Sequence, residues 1–198
     1  VETPRQPTAE QLETLRKLLG RRRFEHSQSV AETARALAAR FAPELSARAE
    51  LAGLLHDNAK ALNDAELIAA AERHDIDITP GERIMPGLLH GKVGAAMLDA
   101  RFGVADQDVA QAVADHVTGR VGMGLLSLIL FVADQIAADR RFEGVVELRE
   151  LAKEDLVRAA QVVAGNKLRW AIHKERHVEP QTVAVYNDLL ARVAADED

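Results

Sequence analysis

Six side chains of metal-ligand type are spread along the chain: His26, His56, Asp57, His90, His116 and Asp134. They fall on at least five predicted helical segments. Any one histidine on an apolar helix face is more often a hydrogen-bonded core residue than a ligand. Taken together, several inward-facing histidines in one small core would each need a separate polar partner, and a shared metal site resolves them at once. Asp134 sharpens the point. It is the only acid in "LLSLILFVADQIAA", and a buried carboxylate must be paired, protonated or bound to a cation. The sequence has no cysteine, so histidine nitrogen and carboxylate oxygen must supply the ligands, a donor set suited to iron, manganese or zinc.

The pair in "LAGLLHDNAK" carries the most specific chemistry. Neighbouring helical residues differ by about 100° around the axis, so His56 can take one metal while the Asp57 carboxylate reaches between two. Lys60 follows four residues after His56, which puts its ammonium beside the site, where it can meet a phosphate. His74, His173 and His177 stand among charges near helix ends and read as solvated surface. Arg21, Arg22 and Arg23 read as a solvated turn, with Arg23 a candidate for the rim of the site. Trp170 reads as core.

The elements that must position these residues are helices. Apolar residues recur at spacings of three and four, and strand signals are scarce. Thr8 with Gln11 forms a predicted capping box, and a first helix runs to Gly20. A second helix, from about Glu25 to Phe41, places His26 with Val30, Ala34 and Leu37 on its inner face. Ser46 is the predicted cap of a third that carries His56 and Asp57 near its end, and Asn63 with Glu66 of a fourth. "LLHGKVGAAMLDARFG" reads as one helix ending near Gly103. Asp106 caps the helix of His116, and the nearly all-apolar helix of Asp134 reads as the centre of the bundle. Further helices follow, the last after Pro180.

The expectation is an all-α, single-domain helical bundle. Residues 1–22 would form an N-terminal helix, 23–170 the metal-binding domain and 171–198 a completing C-terminal helix. The 198 residues can bury one sizeable core. No stretch has the length and apolarity of a membrane span, and the beginning lacks a signal-peptide core. A soluble, cytoplasmic protein is expected. The net charge of −6 argues against a nucleic-acid polymer as partner.

The order His, His-Asp, His, His, Asp on successive helices resembles the HD-domain superfamily of metal-dependent phosphohydrolases. The blocks "RFEHSQSVAETARALA", "AELAGLLHDNAK", "LLHGKVGA", "DHVTGRVGM" and "LFVADQIAADRRFEGVVELR" are together similar to its YqeK-like branch, the bacterial symmetrical bis(5′-nucleosyl)-tetraphosphatases. The resemblance implies an HD-type all-helical fold and two metal ions, iron first, with manganese or zinc as alternatives. It also implies a dinucleoside polyphosphate substrate, diadenosine tetraphosphate, cut into two nucleoside diphosphates. A second copy of the chain, in a homodimer, is the further partner expected.

By the same resemblance His26, His56 and Asp134 hold one metal and His90 and His116 the other, with Asp57 bridging. A hydroxide shared by the cations would attack phosphorus, with Asp57, Lys60 and Arg140 as catalytic residues. Thr118, Gly119, Arg120, Arg149 and Arg23 are the expected substrate contacts, and Phe142 falls on another characteristic position. Asn58 and Asp115 depart from the family pattern, which puts the nucleotide-base pocket in question. Alternative readings are another HD-type phosphohydrolase, acting on nucleoside monophosphates or cyclic nucleotides, and a non-catalytic nucleotide-binding module.

Overall fold

Residues 7–196 are described by a computed structural model. They form helices α1 (Ala9–Phe41), α2 (Ser46–Leu55), α3 (Asp64–Arg73), α4 (Pro80–Ile84), α5 (His90–Ala96), α6 (Leu98–Phe102), α7 (Gln107–Asp115), α8 (Leu125–Ile136), α9 (Val145–Glu154), α10 (Leu156–His173) and α11 (Pro180–Asp196). Among the described residues there is no strand, as the periodicity predicts. No helix among the described residues is long and apolar enough to cross a membrane.

α8 is the axis. Leu128 to Ala133 are almost wholly buried, because α1, α2, α7, α9 and α10 all pack around this helix. Each large apolar side chain removed from water there contributes about 1.5–3 kcal/mol. Around it α1 buries Leu15, Leu19, Val30, Ala34 and Leu37 in the same cluster. A smaller cluster of Ala59, Leu67, Ala71, Leu89 and Val93 supports the turn after α2 and the start of α5.

The capping boxes Thr8–Gln11 and Asn63–Glu66 form as the sequence predicts, and the Asp106 carboxylate accepts from the Asp108 and Val109 N–H groups. The span α1 is two helical stretches that meet at a kink at Gly20, whose φ of 68° is left-handed, so the first ends where the sequence predicts. Two local expectations change. Ser46 does not cap α2: the 3₁₀ turn Pro43–Leu45 leads straight into it, and Ser46 is already helical. The helix predicted through "LLHGKVGAAMLDARFG" breaks at Met97 into α5 and α6, and stops at left-handed Gly103 as expected.

Candidate metal centre

Half of the six ligand-type residues stand at helix ends, where a rigid helix delivers a side chain without burying it in its own turns. His56 terminates α2, His116 terminates α7 and His90 opens α5. Asp57 lies in the turn after α2, whereas His26 and Asp134 project from within α1 and α8. Two glycines bring these helices close enough. A Cβ on Gly53 would lie 2.7 Å from the Ala31 Cα, so α2 can approach α1 only with glycine there. A Cβ on Gly91 would meet the Val117 side chain at 2.9 Å, which ties α5 to the end of α7.

The histidines share a wiring pattern. Nδ1 of His56 donates to the Gly53 carbonyl at 2.7 Å, His90 to Gly87 at 2.6 Å and His116 to Val113 at 2.7 Å, each three residues back. His26 uses Asp139 instead, Nδ1 to Oδ2 at 2.9 Å. Engaging Nδ1 as donor leaves the Nε2 lone pair of each ring free to bind a metal, the arrangement that orients histidine ligands.

The four Nε2 atoms surround two carboxylates. Asp134 Oδ1 is 3.1 Å from His26 Nε2 and 3.8 Å from His56 Nε2. Asp57 Oδ1 is 3.1 Å from His90 Nε2 and 3.7 Å from His116 Nε2, while its Oδ2 is 3.6 Å from His56 Nε2. The two aspartates thus anchor two halves of one cluster, with His56 between them.

The donor set fits metal ions. His56 Nε2 is buried without a hydrogen-bond partner, and the Nε2 atoms of His90 and His116 face each other at 3.1 Å. Ligand atoms of His26, His56 and Asp134 lie within 4.8 Å of one another, as do those of His56, Asp57 and His116. Electrostatics agree. Burial works against ionised Asp57 and Asp134, yet the surrounding histidines, with Arg140 at Asp134, outweigh it and hold both well below the usual carboxylate range. Burial pushes His56, His90 and His116 below the ordinary imidazole value, against the pull of Asp57. His26, also opposed by burial, is raised by its bond to Asp134.

Cations frame the cluster. Lys60 Nζ lies 3.2 Å from His90 Nε2, where the sequence places it. Arg140 donates through Nε to the Asp134 carbonyl at 2.7 Å and through Nη2 to its carboxylate. Lys167 on α10, which sequence reasoning missed, donates to the Val117 carbonyl at 3.0 Å and lowers its pKa to about 8, chiefly through burial. With five of the six ligand-type residues, all but His56, these three cations line a pocket of about 280 Å³. It adjoins a larger, mainly apolar cleft of about 600 Å³, and Val117, Gln135, Arg140 and Lys167 belong to both walls.

The cleft overturns two expectations. Trp170 is not core: it is 57% exposed and lines the cleft with half-exposed Phe142. His177 is not solvated surface, since it is half-buried in the same wall and its Nε2 has no hydrogen-bond partner. Among the expected substrate contacts, Thr118 lines the cleft. Gly119 and Arg120 line a separate pocket that Thr118 also borders. Arg149 points its guanidinium at the Ile136, Ala137 and Arg140 carbonyls, pinning the loop after α8. Arg23 is exposed on α1, one turn before His26.

The two departures from the family pattern also find their places. Asn58 is buried and donates to the Leu55 and Gly94 carbonyls at 2.9 and 3.1 Å, stitching α2 to α5. Asp115 accepts from Ser127 at 2.7 Å and Gln111 at 2.8 Å and pairs with Arg120 at 3.3 Å. Neither lines the metal pocket or the apolar cleft, while Asp115 borders the pocket lined by Thr118, Gly119 and Arg120.

Comparison with known proteins meets this geometry. The HD domain family model matches residues 23–139, a span that holds all six ligand-type residues. The chain belongs to the HD-domain family. A protein of Bacillus subtilis named "Bis(5′-nucleosyl)-tetraphosphatase, symmetrical" is 35% identical over 92% of this chain and 97% of its own length. One of the same name from Staphylococcus aureus is 30% identical over 85% of this chain and 87% of its own. Among solved structures, a predicted HD superfamily hydrolase involved in NAD metabolism from Clostridium acetobutylicum superposes with a TM-score of 0.89. It is 33% identical, over 95% of this chain and all of that one. The YqeK-like resemblance carried by the five sequence blocks is borne out.

Proposed function

We propose that this HD-domain protein is a metal-dependent hydrolase that cuts diadenosine tetraphosphate and related dinucleoside polyphosphates symmetrically into two nucleoside diphosphates. The observation that carries the reading is the match over nearly the whole chain to relatives bearing that name. The joined pockets support it. A polar metal pocket opening into an apolar cleft with exposed aromatics suits a molecule that is part polyphosphate and part nucleoside.

His26, His56 and Asp134 would hold one metal and His90 and His116 the other, with Asp57 shared. Iron is the first choice for both, and manganese and zinc suit the same donors. When bound, the metals supply water activation near neutral pH and positive charge for the phosphoryl oxygens. The chain does the rest. Lys60 offers an ammonium at the edge of the pocket to non-bridging oxygens as charge grows on them. Arg140 keeps Asp134 ionised and oriented through Nε and Nη2, and its Nη1, without a protein acceptor among the described residues, is left for phosphate. Trp170 and Phe142 offer aromatic faces to a base.

Product analysis tests the reading. Metal-replete protein given diadenosine tetraphosphate should release ADP as its sole nucleotide product. ATP with AMP, or inorganic phosphate, would refute symmetric cleavage.

A further inference from the structure

Lys167 is the charged side chain that the metal centre leaves unexplained. It projects from α10, and its Nζ rests on the carbonyls of Val117 at 3.0 Å and His116 at 3.4 Å. The Phe131 ring lies beneath it, 4.9 Å from Nζ to centroid. Among the described residues no carboxylate lies within 4.0 Å of it, whereas Lys92, Arg120 and Arg140 each have such a partner. An ammonium has three donors and a full charge, and Asp134 and Asp57 act on it only from beyond ion-pair distance. Holding a desolvated cation without a contacting anion is costly, so a ligand that brings negative charge completes the site.

Position selects the ligand. Lys167 and Arg140 are the two cations common to the metal pocket and the apolar cleft. Lys60 lines only the metal pocket. A molecule with a base in the cleft and a reacting phosphorus in the metal pocket must pass its phosphate chain by Lys167 and Arg140. Lys167 is also stiffly mounted, since α10 packs on α8 and Phe131 is fully buried.

We infer that Lys167 is a substrate-binding residue that grips the polyphosphate chain where it leaves the metal pocket for the cleft, with Arg140 lining the same junction. The inference rests on the hydrolase reading for the identity of the chain it grips. Its role is ground-state binding of phosphate, distinct from Lys60 at the reacting end.

The test compares wild type, Lys167→Met and Lys167→Arg in metal-replete protein by calorimetric titration with ADP and, separately, with adenosine. The methionine variant should bind ADP at least about tenfold more weakly and adenosine unchanged, while arginine restores ADP affinity to within about threefold. With diadenosine tetraphosphate, KM should rise by a similar factor and kcat change little. A second measurement needs no variant: ADP should protect Lys167 of the wild type from reductive methylation, read by mass spectrometry. Equal ADP affinity in wild type and Lys167→Met, or no protection of Lys167 by ADP, overturns the inference. A wild type that binds ADP through Lys167 but releases no ADP from the dinucleotide would refute the hydrolase reading alone.

Discussion

The Nε2 atoms of His90 and His116 stand 3.1 Å apart, on rings whose Nδ1 atoms both face backbone carbonyls. Two lone pairs so opposed repel unless a positive charge lies between them. Metal removal should therefore cost stability. At a free metal concentration a hundredfold above Kd, binding contributes about 2.7 kcal/mol, or roughly 5–10 °C in melting temperature for a chain of this size. Calorimetry with and without chelator measures it, and an unchanged melting temperature would refute metal binding at this cluster.

Lys60→Met should leave a folded protein with its full metal content and lower kcat by about 10²-fold or more, the scale of losing one preorganised electrostatic donor. Steady-state kinetics beside elemental analysis decides this. Undiminished kcat would remove Lys60 from the reaction.

Gly53→Ala should be destabilised by about 1–3 kcal/mol, because the new methyl would press on the Ala31 backbone at 2.7 Å. The displaced Gly53 carbonyl also orients His56, so metal content should fall with stability. Urea denaturation and metal analysis on the same sample test both effects.

Arg149→Gln should lower stability by about 2 kcal/mol, since three carbonyls of the loop that carries Arg140 lose a forked donor. Arg149→Lys should not restore it, as an ammonium lacks the fork. Chemical denaturation of both variants is the check; full rescue by lysine would show that charge alone matters there.

Trp170→Ala should leave the melting temperature nearly unchanged, the indole being largely exposed. It should raise KM for the dinucleotide by about tenfold, the scale of one lost base-stacking contact. A lowered melting temperature with unaltered KM would return Trp170 to the structural role the sequence suggests.

The ligand cluster was legible because helical periodicity already turned His26, His116 and Asp134 inward, and because His56-Asp57 ended an apolar run. What periodicity cannot tell is what a polar side chain meets after helices pack. Lys167 on an amphipathic helix looks like any solvated lysine until α10 lies against α8. Asp139 becomes the partner of His26 only because the loop after α8 folds back, and Arg149 holds that loop. Trp170 failed for the converse reason, since a large aromatic is counted as core by hydrophobicity although a cleft can keep its face in water. The break at Met97 and the entry into α2 depend on backbone details that side-chain pattern does not encode.

The proposed arrangement has Asp57 shared by two metals, and anomalous diffraction from crystals of the metal-replete protein tests that directly. Two peaks are predicted, one against His26, His56 and Asp134 and one against His90 and His116, with an Asp57 oxygen coordinating each. A single peak, or two peaks without Asp57 in either coordination shell, would contradict it.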